Sequence, residues 1–155
     1  FMVCCPWNGM RWAGMESPLW LLLLFAKHKV RETYIGQLEG IVCPAVYLSC
    51  PKSWFSDRLV LHYVDNQGAL HSMVNGRSND TDMNRIVFVI LALCVKMGCH
   101  VWWDYVPSAS NIADLPTRLD ANALVRLNRL GTRVAMQLPP EWCLDCLHAD
   151  LASLL

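Results

Sequence analysis

The 155-residue sequence lacks an excess of either charge, a long apolar run and a secretory signal. Thirteen Lys and Arg residues balance thirteen Asp and Glu residues, so no global basic field marks a strong independent nucleic-acid binder. The most hydrophobic run, residues 18–26, is far shorter than the roughly twenty residues of a membrane span. It predicts a core or interfacial helix, with a membrane-surface role as the alternative. Without a signal peptide, we expect an intracellular protein, in the cytoplasm or nucleus, with no membrane partner.

The eight cysteines form no even framework, and without a secretory signal we expect them to be reduced. Cys143, Cys146 and His148 make up a single CxxCxH motif. A structural zinc site needs four ligands, and the sequence has no second CxxC pair at a recognisable spacing. We therefore interpret the motif as a chance pair and predict no stoichiometric zinc. A zinc-binding or membrane-associated interaction protein is the alternative.

A short apolar run, Leu59 to Val64, lies between Arg58 and Asp65. Its length and its Val, Leu and Tyr content predict a buried central strand rather than a helix. Asp65 then lies at the carboxyl end of the strand, where ligands gather in open α/β sheets. Two interpretations of this carboxylate stay open: a cap for a helix that begins near Asn66, or a metal ligand with partners elsewhere in the chain.

A second acid, Glu39, lies within Tyr34 to Leu48, where apolar residues recur at helical spacing. Pro44 removes a hydrogen bond to the carbonyl of Gly40, so we expect it to kink or break this helix. Taken alone, Glu39 is best interpreted as an ordinary solvated acid on the flank of a helix.

A third acid, Asp114, follows a second predicted strand, Val101 to Val106. It falls in the first turn after Ser110 or Asn111, which are both good helix caps. Asp104 is a rival acid in this region, and we assign it no metal.

Three motifs follow one another along the chain: LEG on a helix, VDNQGAL after a strand, and YVPSASNIADLPTR after another strand. This order resembles the ribonuclease H domain of retroelement reverse transcriptases. The resemblance covers roughly residues 1–120, and residues 121–155 are expected to form a tail that packs on the domain or links to a neighbour. It implies an α/β fold of the ribonuclease H type, a mixed sheet with helices on both faces. It further implies an acidic cluster for Mg²⁺ or Mn²⁺, with two ions in the complete family site.

Carried over by position, Glu39, Asp65 and Asp114 match three of the four acidic ligands of this family, as both catalytic and metal-binding residues. The family's first ligand is an Asp on the first strand, and it is missing. Residues 1–38 contain Glu16 and Glu32 as their acids, and neither matches. We expect the first strand, with its Asp, to lie just before Phe1, inside a longer chain.

The implied activity is metal-dependent hydrolysis of the RNA strand of an RNA/DNA hybrid, with a reverse transcriptase domain in the same polyprotein as a partner. The candidate substrate contacts adjoin the acids: Asn66, Gln67, Ser108 and Arg118. Whether the given chain is an enzyme stays open, because the first-strand Asp is missing. A remnant of the domain without catalysis is the alternative.

Two further strands are predicted at Phe1 to Cys5 and Met10 to Met15, joined by a tight turn at Asn8-Gly9. We expect all four strands to form one sheet. Helices are predicted over Gln67 to Val74 and Asp80 to Met97, each closed by a glycine. A further helix over residues 122–130, a Gly131 stop and a short strand over 133–138 are predicted in the tail.

Overall fold

The chain, described by a computed structural model over residues 2–4, 9–26, 34–114 and 121–140, has a mixed α/β fold. Short 3-10 turns connect several of its elements. The strands and helices are β1 (Met2–Cys4), β2 (Met10–Ala13), α1 (Leu19–Ala26), α2 (Ile35–Gly40), α3 (Val42–Ser49), β3 (Leu59–Val64), α4 (Gln67–Asn75), α5 (Thr81–Met97), β4 (His100–Tyr105), α6 (Ala121–Leu130) and β5 (Gly131–Arg133).

The strands form two small sheets. In the first, β1 pairs antiparallel with β2, and β2 pairs parallel with β5. In the second, β3 pairs parallel with β4, with Leu61 opposite Trp102. The four strands β1 to β4 begin and end within two residues of their predicted bounds. The prediction that they form one sheet is wrong for the described residues. Their pairing partners depend on contacts far apart in sequence, which apolar patterning does not encode.

β3 is the strand whose position differs most from expectation. It pairs with β4 along one edge and has no second partner strand in the described part of the chain, so the prediction of a central strand is wrong there. Leu59, Leu61 and Tyr63 point away from the core and are exposed, whereas Val64 is buried. Helices were expected on both faces, and among the described residues none covers these three side chains. A continuous apolar run is typical of a strand buried on both faces, so the exposure of these side chains could not be predicted from the run.

The predicted helix at residues 34–48 is divided into α2 and α3 at Ile41. Pro44 lies in the first turn of α3, where a backbone N–H needs no partner inside the helix. The expected break is therefore confirmed, and it occurs early enough for Pro44 to begin a new helix. Because α2 ends just after Glu39, this acid lies at the end of a short helix.

The two helices after β3 begin and end as predicted. The side chain of Asn66 caps α4 and that of Asp80 caps α5, each accepting a hydrogen bond of 2.8 Å from a backbone N–H. Gly76 and Gly98 end them in the left-handed conformation, with φ of 66° and 64°, which glycine adopts without steric cost. These caps set where α4 starts relative to Asp65.

The core lies between the helices and the inner faces of the sheets. Helix α1, expected as a core or interfacial helix, buries Leu21, Leu24 and Phe25 and exposes Leu19 and Leu23. Across the described ranges, no helix combines the length and apolar content that a membrane crossing requires.

The C-terminal part differs from expectation in one element. Helix α6 ends at Leu130, so Gly131 follows the helix as expected, but Gly131 is already the first residue of β5. The predicted strand over 133–138 is irregular beyond Arg133. Asn8 of the predicted turn, Arg118, Cys143, Cys146 and His148 lie outside the described residues.

His62 points from β3 into the core. Its ring lies 4.6 Å from the ring of Trp103 and 5.8 Å from that of Tyr47, and Nδ1 is 3.3 Å from the Tyr47 hydroxyl. Burial lowers the pKa of His62 from 6.5 to about 4. The folded state therefore binds a proton less readily than the unfolded state, so stability is present above pH 6.5 and is lost as the pH falls toward 4.

We predict that His62→Phe removes the loss of folding stability that protonation of His62 causes at acid pH. At about 1.4 kcal/mol per pKa unit, the wild-type histidine costs about 3 kcal/mol by pH 4. The variant loses a hydrogen bond worth about 1 kcal/mol at pH 7 but has a flatter stability profile below pH 6.5. Urea unfolding between pH 4 and 7 measures both effects. The exposed His100, changed to Gln, is the control and keeps the wild-type slope; an unchanged slope in His62→Phe contradicts the prediction.

Candidate active site

Three elements place the predicted acids around one cleft. Glu39 is the next-to-last residue of α2, Asp65 directly follows β3, and Asp114 ends a helical turn over residues 112–114. All three line a cleft with a volume of about 1290 Å³. The carboxyl end of a strand and two helix termini thus bring together acids that are far apart in sequence.

Asn66 connects the first two of these elements. Its Nδ2 donates a hydrogen bond of 2.6 Å to Oε2 of Glu39, while its Oδ1 accepts one of 2.8 Å from the backbone N–H of Ala69. One amide therefore caps α4 and holds the Glu39 carboxylate toward the end of β3. Asn66 was also predicted to contact the substrate, but both polar atoms of its side chain form hydrogen bonds within the protein.

Asn111 has the same role for Asp65. Its Nδ2 donates to Oδ2 of Asp65 at 2.9 Å, and its Oδ1 accepts from the backbone N–H of Ala113 at 3.0 Å. The backbone N–H of Asp114 donates to the carbonyl of Asn111 at 3.1 Å. Asn111 thus orients Asp65 and supports the turn that presents Asp114.

The electrostatics of the cleft disfavour negative charge on Glu39. Its pKa is raised above 4.5 chiefly by burial, and further by the charges of Asp65 and Asp114, whereas the hydrogen bond from Asn66 lowers it. The Coulomb effects of both aspartates indicate that each of them lies within electrostatic reach of Glu39. A cation in the cleft would relieve this repulsion.

The donor set suits a hard cation. Carboxylate and amide oxygens are the ligands that Mg²⁺ and Mn²⁺ prefer over His or Cys. Within the described ranges, no group of three or more His, Cys, Asp or Glu side chains is arranged to hold a metal ion. The fit to Mg²⁺ therefore lies only in the chemistry of the carboxylate oxygens and not in a ready-made cluster of ligands.

The other predicted contacts are placed differently. Gln67, the first residue of α4, and Ser108 are exposed and do not line the cleft; Arg118 falls outside the described ranges. Ser110 and Asn111 line the cleft, although the sequence suggested them only as helix caps. An Asn three residues before an acid at a predicted helix start is the signal that could have identified Asn111.

Away from the acids, the walls of the cleft are largely apolar. Leu21, Val46 and Phe55 line it, together with every residue of β3. Arg58 lies at the opposite end of β3 from Asp65. The polar chemistry of the cleft is therefore concentrated at the carboxyl end of the strand.

Comparison of the chain with protein-family models, with curated proteins and with solved structures finds no match. The residues of the cleft and the motif resemblance are therefore the features of this chain that bear on its function.

We predict that Asn66→Ala destabilises the protein by about 2 to 4 kcal/mol. It removes a helix cap worth about 1 kcal/mol and a hydrogen bond to a charged group worth about 1.5 to 3 kcal/mol. Asn66→Ser keeps a capping oxygen but loses the donor to Glu39, so it should cost clearly less. Urea unfolding of the two variants separates the contributions. Equal losses of stability in both variants would show that the hydrogen bond to Glu39, and not the helix cap, accounts for the destabilisation.

We predict that Glu39→Gln stabilises the metal-free protein at pH 7, because it removes a partly buried charge that two aspartates repel. A raised folded pKa means that stability is lost as the pH rises above 4.5. The advantage of the variant should therefore vanish at lower pH. The glutamine side chain of the variant keeps an oxygen that accepts from Asn66. Thermal unfolding as a function of pH measures the difference.

The same variant tests cation binding. A ligand present at ten times its Kd stabilises the folded state by about 1.4 kcal/mol, so Mg²⁺ should raise the unfolding temperature of the wild type more than that of Glu39→Gln. Glu16→Gln, in the loop after β2, is the matched control and should respond like the wild type. Identical Mg²⁺ responses in all three proteins would exclude Glu39 as a ligand.

Proposed function

We propose that this chain is the ribonuclease H domain of a retroelement reverse transcriptase, and that its complete form hydrolyses the RNA strand of RNA/DNA hybrids. The observation that carries the proposal is the shared cleft of Glu39, Asp65 and Asp114. These acids were selected from three separate motifs, and unrelated surface acids have no reason to meet in one cleft. The mixed α/β fold is compatible with the proposal.

Glu39, Asp65 and Asp114 would hold the divalent ions. Two such ions about 4 Å apart supply an activated water and stabilise the leaving oxygen of a phosphodiester. Asn66 and Asn111 orient the Glu39 and Asp65 carboxylates through the hydrogen bonds described above. The proposed cofactor is Mg²⁺ or Mn²⁺.

The hybrid would be recognised mainly by its shape and by the 2′-hydroxyls of the RNA strand. The balanced charge of the chain supplies little backbone affinity, so we propose that a reverse transcriptase domain in the same polyprotein contributes the rest. Gln67, Ser108 and Arg118 stay candidate contacts to the substrate.

Among the described residues, no fourth acid lines the cleft beside Glu39, Asp65 and Asp114. Glu16 is exposed in the loop between β2 and α1, and it does not line the cleft. With one hard ligand fewer, the site has less charge and a lower coordination number, so it should hold Mg²⁺ weakly. This is the observation that favours the second candidate, a remnant that folds but does not cleave.

We predict that the chain as given is nearly inactive, whereas a version extended upstream by a strand bearing Asp cleaves RNA/DNA hybrids with Mg²⁺ or Mn²⁺. In the extended version, Asp65→Asn should abolish cleavage and leave the fold intact, since the amide keeps the shape but removes the charge that binds metal. Cleavage of a labelled hybrid and circular dichroism measure the two properties.

Asp104→Asn is the matched control, because Asp104 is an exposed acid on the neighbouring strand β4. It should retain the activity of the extended protein. Full activity of Asp65→Asn would refute the assignment of the site. An extended protein that folds, binds Mg²⁺ and does not cleave would favour the remnant.

A further inference from the structure

Two cysteines lie on either side of the turn that joins α5 to β4. Cys94 belongs to the last turn of α5, and Cys99 directly precedes β4. Both are free thiols, and their side chains hydrogen-bond to each other. Two adjacent thiols can be oxidised to a disulfide if the backbone allows its geometry.

The backbone brings these residues together through a Schellman motif at the end of α5. The N–H of Cys99 donates to the carbonyl of Cys94, and that of Gly98 donates to the carbonyl of Val95, both at 3.1 Å. In this motif, the side chains at the two ends of the longer loop normally touch. Gly98 allows the turn, because its φ of 64° is left-handed and a Cβ there would lie 2.7 Å from Oδ1 of Asp57. The turn itself therefore sets the contact between the two thiols.

The same hydrogen bond limits the distance that a disulfide would have to span. With 3.1 Å between the backbone nitrogen of Cys99 and the carbonyl oxygen of Cys94, standard bond lengths keep the two Cα atoms within about 7 Å of each other. A disulfide requires Cα atoms about 4.4 to 6.8 Å apart and side chains that converge. The contact between the thiols meets the second condition, so the pair can be bridged with little movement of the backbone.

The two thiols differ in their access to solvent. Cys94 is half-buried, whereas Cys99 is 7% exposed, so a small reagent meets Cys94 first. Burial raises the pKa of both thiols, that of Cys94 to about 12, so little of either is present as the reactive thiolate at neutral pH. The pair therefore suits slow exchange with a small disulfide rather than rapid catalysis.

We propose that Cys94 and Cys99 form an oxidative modification site, a dithiol that small-molecule disulfides such as oxidised glutathione convert to an intramolecular disulfide. The thiolate of Cys94 attacks one sulfur of the reagent, forms a mixed disulfide and releases one small thiol. The thiolate of Cys99 then attacks Sγ of Cys94, breaks the mixed disulfide and releases the second small thiol. The protein thus loses two electrons and two protons, which the two small thiols carry away.

The disulfide would fasten the turn between α5 and β4. This turn also holds the start of β3, since the backbone N–H of Asp57 donates to the carbonyl of Met97 at 3.2 Å, and that of His100 donates to the carbonyl of Arg58 at 2.9 Å. Asp65 follows the opposite end of β3. The modification site is therefore separate from the acids, and the proposal does not depend on the metal site.

Disulfide mapping in the full chain tests the proposal. The chain is incubated with oxidised and reduced glutathione at about pH 8.5, where more of each thiol is ionised, and its free thiols are then blocked with N-ethylmaleimide. After denaturation, trypsin cleaves after Lys96, between the two cysteines. The disulfide should therefore join peptide 86–96 to peptide 97–118, each of which contains one cysteine, in the monomer band.

The unfolded chain provides a control for sequence spacing. In urea, the flexible chain holds the two thiols at an effective concentration in the mM range, whereas the folded turn holds them in contact. The equilibrium constant for forming the Cys94–Cys99 disulfide from glutathione should therefore be at least about tenfold larger in the folded chain.

Glycine variants provide a matched comparison within the folded state. Gly98→Ala puts a Cβ against the Asp57 carboxylate and strains the turn that brings the thiols together, so it should lower the equilibrium constant severalfold. Gly76→Ala strains the left-handed end of α4 in the same way and leaves the thiol pair in place, so it should match the wild type. Circular dichroism shows whether both variants are folded.

Recovery of peptides 86–96 and 97–118 only as blocked thiols or glutathione adducts would overturn the proposal. A disulfide that joins either cysteine to another part of the chain or to a second copy would do so as well. Equal equilibrium constants in the folded and the urea-unfolded chain would show that sequence spacing, and not the turn, pairs the thiols, which also contradicts the proposal.

Discussion

The cost of placing carboxylates in one partly buried cleft is the constraint on which the local structure depends, and burial is the largest part of that cost at Glu39. Asp65 and Asp114 raise the pKa of Glu39, which burial has already raised. Two asparagine amides offset part of this cost, because each donates a hydrogen bond to one acid. Each also accepts from a backbone N–H at the start of a helix or turn. The acids are thus oriented by the same residues that start the adjoining elements.

This arrangement explains why the site lies at the end of β3 rather than along it. β3 ends at Val64 and α4 begins at Gln67. Asp65 therefore lies between the two elements, and its carboxylate is at the end of the strand. The break between α2 and α3 does the same for Glu39, since α2 ends one residue after it. Helix and strand ends concentrate polar groups without placing them in the apolar core.

The two small sheets have a different consequence. β3 contributes Val64 and the ring of His62 to the interior on one side and an apolar face to the surroundings on the other. Both faces are apolar, so the strand itself does not determine which one is covered. The proposed chemistry of the acids uses the carboxyl end of this strand and neither of its faces.

Local sequence determined the elements. The positions of β3, α4 and α5 follow from an apolar run, from the capping side chains of Asn66 and Asp80, and from glycines that adopt a left-handed conformation. The motif resemblance selected Glu39, Asp65 and Asp114 as candidates, and the fold places all three along one cleft. Tertiary structure alone decided that the described strands form two sheets, that β3 has one partner strand within the described ranges, and that Asn111 holds Asp65. Strand partners and contacts 46 residues apart in sequence depend on how elements pack, and residue periodicity carries no information about that.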